Sequence, residues 1–169
     1  MAIDVTAKSE TAVAFVGVSV ADAYFTARGI TTWTGTDAAK EAALVRGCDY
    51  LERMYRGRWV GIKTTELQAL SWPRGWVSDV DGYAISADTI PVQVQNANLE
   101  AALLILTGTD LEPVLERGGM VTREKVKAGP VESEAEYSAG ASVRSVVTAI
   151  DGLLVGLVTN TNTIDLLRV

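Results

Sequence analysis

Thr36-Asp37-Ala38-Ala39-Lys40-Glu41-Ala42-Ala43-Leu44-Val45-Arg46-Gly47-Cys48-Asp49-Tyr50-Leu51-Glu52-Arg53-Met54-Tyr55 decides the fold of this chain. Leu44, Cys48, Leu51 and Tyr55 recur at spacings of four, three and four, so a helix that starts after Thr36 and runs to about Tyr55 puts them on one face. An apolar helix face must be covered, and the flanking sequence supplies further helices to cover it. Upstream, Ser19 is placed as an N-cap, Asp22 can meet the exposed N–H groups of a first turn, and Gly29 offers a stop after Arg28. Downstream, Pro91 suits the first turn of a third helix that carries Val94, Ala97, Ala101, Leu104 and Ile105 on one face and closes at Gly108. A final helix from near Ser142 aligns Val143, Val146, Val147, Ile150, Leu154 and Leu157, with Gly152 and Gly156 one turn apart where another backbone can approach.

Between these helices the periodicity changes. From about Arg56 to Asp88, Gly57, Gly61, Trp72-Pro73, Gly75 and Asp81-Gly82 are turn signals, which predicts a long shaped loop pinned by Trp59, Trp72 and Trp76 and hydrogen-bonded through Arg74. Asp110 is placed to cap a short turn over Leu111 to Arg117, ahead of Gly118-Gly119. Residues 120–137 read as two strands around Ala128-Gly129-Pro130, the second alternating Val131, Ser133, Ala135 and Tyr137 against Glu132, Glu134 and Glu136. The chain is therefore predicted to be mainly α, a bundle of about four helices with a β-hairpin and extended N- and C-terminal arms. Its divisions are an arm over 1–17, marked by Thr6, Thr11, Val13 and Val16, a helical domain over 18–158 and a tail over 159–169. The predicted core comprises Phe25, Leu44, Leu51, Ala101, Ile105, Val147, Ile150 and Leu154.

Composition removes many function classes. The 169 residues are 48% apolar and 21% charged, as expected of one folded domain and unlike a disordered chain. The absence of histidine excludes imidazole bases and ligands, and the single Cys48 can form neither an internal disulfide nor a thiolate cluster. No phosphate loop, nucleophile elbow or dinucleotide fingerprint occurs, so the chain is expected to be no enzyme and to carry no cofactor or metal. Cys48 is expected to be a buried structural thiol. Asp79-Val80-Asp81-Gly82 with Asp88 imitates part of a calcium loop, but Val77 stands in the first ligand position and Asp replaces the final Glu, so an Asp-Gly turn is the reading. Glu132, Glu134 and Glu136 are expected to protect a strand edge. No membrane span and no secretion signal are expected, and a reducing cytoplasm suits the lone cysteine.

The net charge of −6 means that any contact with nucleic acid must be local. One basic cluster, Arg46, Arg53, Arg56, Arg58 and Lys63, is interleaved with Tyr50, Tyr55 and Trp59, a pairing of cations and rings that can hold a single strand. Asp49 and Glu52 interrupt it, and pairs such as Asp49 with Arg53 and Glu52 with Arg56 give a solvated or intersubunit helix face as the default.

The run Ala21-Asp22-Ala23-Tyr24-Phe25, then Ala42-Ala43-Leu44-Val45-Arg46 with Tyr50-Leu51, Gln68-Ala69-Leu70-Ser71-Trp72-Pro73-Arg74, Asp79-Val80-Asp81-Gly82, Ile90-Pro91 and Glu116-Arg117-Gly118-Gly119 before Arg123-Glu124-Lys125-Val126 resembles a tailed-phage family over about residues 19 to 137. Its members are often labelled DnaT-like single-stranded-DNA-binding proteins and are similar to helical head–tail connector adaptors. The resemblance implies a structural virion protein in the neck between capsid and tail, present in the host cytoplasm before assembly. It implies a homo-oligomeric ring of about twelve copies, with the portal protein above, a stopper or tail-completion protein below, and genomic DNA passing through the channel. On that expectation Ile164, Leu166, Leu167 and Val169 of the tail bind the portal, and Trp72, Pro73, Arg74 and Trp76 meet the neighbouring subunit. The alternative is a single-stranded-DNA-binding protein with Arg53, Arg56, Arg58 and Lys63 facing DNA.

Overall fold

Four helices carry the fold of the computed structural model, which describes residues 3–111, 124–128, 131–135 and 144–159, with side chains over 3–111 and 148–159. They are α1 (Val18–Ala27), α2 (Asp37–Tyr55), α3 (Val92–Leu106) and α4 (Arg144–Leu153). Two short antiparallel pairs accompany them, β1 (Ile62–Lys63) with β2 (Arg74–Gly75) and β3 (Glu124–Ala128) with β4 (Val131–Ala135). The mainly helical class is as predicted.

The central pair is α2 with α3. Thr36 caps α2, its Oγ1 accepting from the Ala39 N–H at 3.3 Å. Leu44, Cys48, Leu51 and Tyr55 are all fully buried, and burial pushes the Cys48 thiol far above its ordinary value, as befits an inert core cysteine. Gly47, on the same side, faces α3 so closely that a Cβ there would lie 2.9 Å from the Ala102 backbone nitrogen. Asn98 is buried at this contact, donating from Nδ2 to the Leu44 carbonyl at 2.9 Å and accepting from the Phe15 N–H at 3.1 Å. The inner ridge of α3 is Val94, Ala97, Asn98, Ala101 and Ala102, whereas Ile105 is only half-buried, a correction to the predicted core, as is Leu104 of the predicted apolar face. Alanines and an amide lie where α3 passes Gly47 because the two backbones are nearest there, and Leu99 is buried elsewhere on α3.

The start of α2 and the stops of α1 and α3 are as expected, whereas the starts of α1 and α3 and the stop of α4 differ. Gly17 is the N-cap of α1, so Ser19 lies inside the helix. Asp22 meets no backbone N–H; it accepts from Lys40 Nζ at 2.7 Å and Trp33 Nε1 at 2.8 Å, and the Lys40 bond holds its carboxyl below the usual range. Gly29, at φ 65°, closes α1 with Ile30 N–H reaching the Phe25 carbonyl and Gly29 N–H the Thr26 carbonyl, and Gly108, at φ 88°, closes α3 in the same way through Leu104 and Ile105. Pro91 is the N-cap of α3, one position earlier than predicted, its carbonyl accepting from Val94 and Gln95. Ile150, Leu154 and Leu157 are buried as predicted, but the helix ends at Leu153 and Gly156 turns out of it at φ 82°. Gly152 has nothing within 4 Å of an added Cβ, whereas one at Gly156 would lie 2.6 Å from Val80 Cγ1 and 3.7 Å from the Val80 backbone nitrogen, so of the two glycines expected to admit a close neighbour only Gly156 does.

The segment before α1 folds back on itself, Ser9 N–H donating to the Thr6 carbonyl at 3.1 Å and Val13 N–H to that of Asp4 at 2.9 Å, and lies on the core. Ala12, Ala14, Phe15 and Val16 are buried, while Asp4 gathers Ser9 and Thr11 hydroxyls that hold its carboxyl far below the ordinary value. Lys8 is ion-paired with Asp88, and Ala69 N–H reaches the Ser9 carbonyl at 2.9 Å, tying this segment to the long loop. In the hairpin the antiparallel register pairs Lys125 with Glu134 and Lys127 with Glu132. Val143, Val147, Glu136, Tyr137 and the turn over Leu111 to Arg117 fall, wholly or in their side chains, outside the described residues.

Gly47→Ala should lower the unfolding free energy by about 1–3 kcal/mol in urea titrations because the new methyl meets backbone. Gly152→Ala, facing open space, should be neutral or stabilising by up to about 1 kcal/mol.

Candidate nucleic-acid interface

Residues 56–88 form the shaped loop expected from their turn signals, and its fastening can be followed bond by bond. Gly61, at φ 69°, lets β1 lie beside β2, with an added Cβ there falling 2.3 Å from the Gly75 carbonyl oxygen. The ladder pairs Ile62 with Gly75 and Lys63 with Arg74. Arg74 donates from Nε to the Val60 carbonyl at 2.7 Å, from Nη2 to that of Gly61 at 2.6 Å and from Nη1 to that of Ser71 at 3.3 Å. A planar fork suits such a cluster of carbonyls, and burial pulls the guanidinium pKa down from its ordinary value.

Below this knot, Trp72, joined to Pro73 by a cis bond, is buried and packs edge-to-face on Trp59, ring centroids 5.7 Å apart, with the Tyr55 ring beyond Trp59 at 5.6 Å and tilted by 45°. Gln68 is buried as well, donating to the Leu70 and Pro73 carbonyls and accepting from Thr65 N–H. Glu52 of α2 joins the loop to the helix, one oxygen accepting from Ser71 N–H at 2.8 Å and the other from Ser71 Oγ at 2.6 Å. The expected Glu52–Arg56 pair is thereby replaced. The chain leaving α4 returns here, with Val158 bridged to Trp59 and Thr159 N–H donating to the Arg58 carbonyl at 2.8 Å.

One ring stands outside the knot. Trp76 is 90% exposed at φ 62°, so it pins nothing, contrary to the sequence reading. The segment after it folds back, Ile85 N–H donating to Val77 at 2.9 Å, and Asp79 Oδ1 accepts from the Asp81 and Tyr83 N–H groups. That commitment makes Asp79-Val80-Asp81-Gly82 a turn, and among the described residues no group of three acidic, His or Cys side chains could hold a metal. Tyr83, at its far side, is 74% exposed. Sequence reasoning overlooked Tyr83, although a ring directly after an Asp-Gly turn is a recognisable signal of exposure.

The predicted interleaving of rings and cations is not what folds. Tyr50 and Tyr55 are buried on the inner side of α2 and Trp59 against Trp72 in the loop that follows, while Arg46, Arg53 and Arg56 are exposed on the outer side of the helix and at its end. Arg58 is half-buried, donating from Nε to the Thr159 carbonyl at 3.2 Å and lying 5.2 Å from the Tyr55 ring centroid. Lys63 donates to the Gln68 carbonyl at 2.6 Å. The structure thus separates Arg53 and Arg56 from Arg58 and Lys63. Trp72, Pro73 and Arg74 are internal to their own chain's loop, and the tail residues Ile164, Leu166, Leu167 and Val169 lie outside the described residues.

Arg74→Lys should cost about 1–3 kcal/mol of stability and open the loop to limited proteolysis, since one ammonium cannot span carbonyls arranged for a fork.

Over residues 1–169 the chain matches the model of the family described as "Putative DnaT-like ssDNA binding protein". No curated protein and no solved structure matches it. The family match includes residues 1–17 and the tail, which the resemblance over about 19–137 had left out. It also corrects the expectation of a head–tail connector adaptor: the matched family is described by single-strand binding, and nothing supports a ring of copies with a portal and a stopper as partners. By this match along its whole length, the chain belongs to the DnaT-like family so described.

Proposed function

We propose that this protein binds single-stranded DNA, with Trp76 as the ring on which an unpaired base stacks. The family description supports the ligand class. The observation that carries the reading is the exposure of Trp76, 90%, at the end of a segment anchored by Arg74 and the β1–β2 pair. A ring left in water offers its whole face to a partner, and one held in the left-handed region has strain that only a well-fastened loop sustains. Single strands present unstacked base faces, which a duplex does not, and stacking tolerates any sequence. Tyr83 is a second exposed ring on the same folded-back segment. Arg53 and Arg56 are exposed cations on α2, and Arg58 and Lys63 donate to the Thr159 and Gln68 carbonyls. The reading requires binding alone and no catalytic group.

Trp76→Ala should weaken binding of an oligothymidylate by about 5- to 150-fold, the equivalent of about 1–3 kcal/mol for one stacked base. Its melting temperature should be unchanged, and Trp76→Phe should keep most of the affinity. Tryptophan fluorescence of the unaltered protein should be quenched by the oligonucleotide and little by duplex. Equal affinity of Trp76→Ala and wild type would remove the stacking platform.

A further inference from the structure

We infer that the phosphates of a bound strand run along the outer face of α2 across Arg46, Arg53 and Arg56, with Asp49 set among them as a brake on affinity; the inference rests on the single-strand reading above. Arg46, Asp49, Arg53 and Arg56 are all exposed and spaced three, four and three apart, which gathers them into one stripe about 15 Å long. The stripe lies opposite the side that carries Leu44, Cys48, Leu51 and Tyr55. Three arginines against Asp49 and the facing Asp110 give a net charge of +1 here in a chain whose total is −6.

Two features shape the stripe. Along its α3 edge runs a depression of about 180 Å³, with Arg46, Asp49 and Arg53 on one wall and Ile105 and Asp110 on the other. Along its other edge lies Glu52, whose two oxygens are taken up by Ser71, so this carboxylate is turned into the loop and away from an approaching anion. Ser71 stands five positions before Trp76, and the Glu52 bonds therefore hold the end of the stripe against the segment that leads to the stacking ring. Guanidinium groups contact phosphate without reading sequence, which complements a sequence-tolerant ring. Asp49, between Arg46 and Arg53, repels each phosphate they attract and keeps the hold weak.

Full-length protein titrated with a fluorescent oligothymidylate across a range of NaCl concentrations tests this. Three phosphate contacts should give a log–log salt slope near −2, each single Arg→Ala substitution at 46, 53 or 56 should lessen it by about 0.7, and Arg→Lys should preserve it. Asp49→Asn should bind about threefold tighter at low salt, with the fluorescence quench at saturation unchanged. Because all four positions are exposed, folding of the single variants is checked by unchanged melting. Unaltered slopes and affinities in these variants, with Trp76-dependent binding retained, would overturn the arginine track and leave the stacking site standing. Failure of the wild type to bind at any salt concentration would overturn both.

Discussion

The side-chain amide of Asn98 is the constraint on which the remaining structure depends. It is buried without exposure, and it satisfies its hydrogen bonds only if the Phe15 N–H and the Leu44 carbonyl are both in place. An amide left unsatisfied in such a position costs about 1–3 kcal/mol, so sliding α3 along α2, or lifting the N-terminal segment, is penalised beyond the loss of apolar contact. Gly47 supplies the space in which this can happen. Together they set the rotation of α2, and rotation decides which of its residues reach solvent. The arginines face outward because Leu44, Cys48, Leu51 and Tyr55 have already been assigned inward.

A second level of fastening builds on that helix. Glu52 holds Ser71, Arg74 gathers three carbonyls, and Trp72 closes the floor against Trp59. Loops with this many internal bonds behave like parts of the core, and they can retain a residue in an unfavourable backbone region at a cost of about 1–3 kcal/mol. Trp76 is such a residue. Its exposure therefore reflects a rigid presentation and not a frayed loop.

The acidic total and a DNA ligand are compatible once charge is considered locally. At physiological salt the screening length is about 8 Å, so a phosphate at the α2 surface responds to the arginines beneath it far more than to distant carboxylates. Weak, salt-sensitive and sequence-tolerant binding follows from that arrangement. No helix among the described residues is long and apolar enough to cross a membrane.

Periodicity alone determined the helices. The four-three-four spacing from Leu44 to Tyr55, the stops at Gly29 and Gly108 and the hairpin around residues 129–130 were legible because each is a local rule about backbone geometry. Helix starts were less legible: Ser19 could cap and Asp22 could meet an N-terminus, but Lys40 and Trp33, distant along the chain, drew Asp22 to themselves. The site was legible only as composition. Sequence placed arginines and rings in one segment, and folding put Tyr50, Tyr55 and Trp59 inside and the arginines outside, while raising Trp76 and Tyr83 from a loop that lacks any period. Local spacing specifies which residues share a face; which face meets water is decided by what packs on the other one, and that depends on contacts across the whole chain.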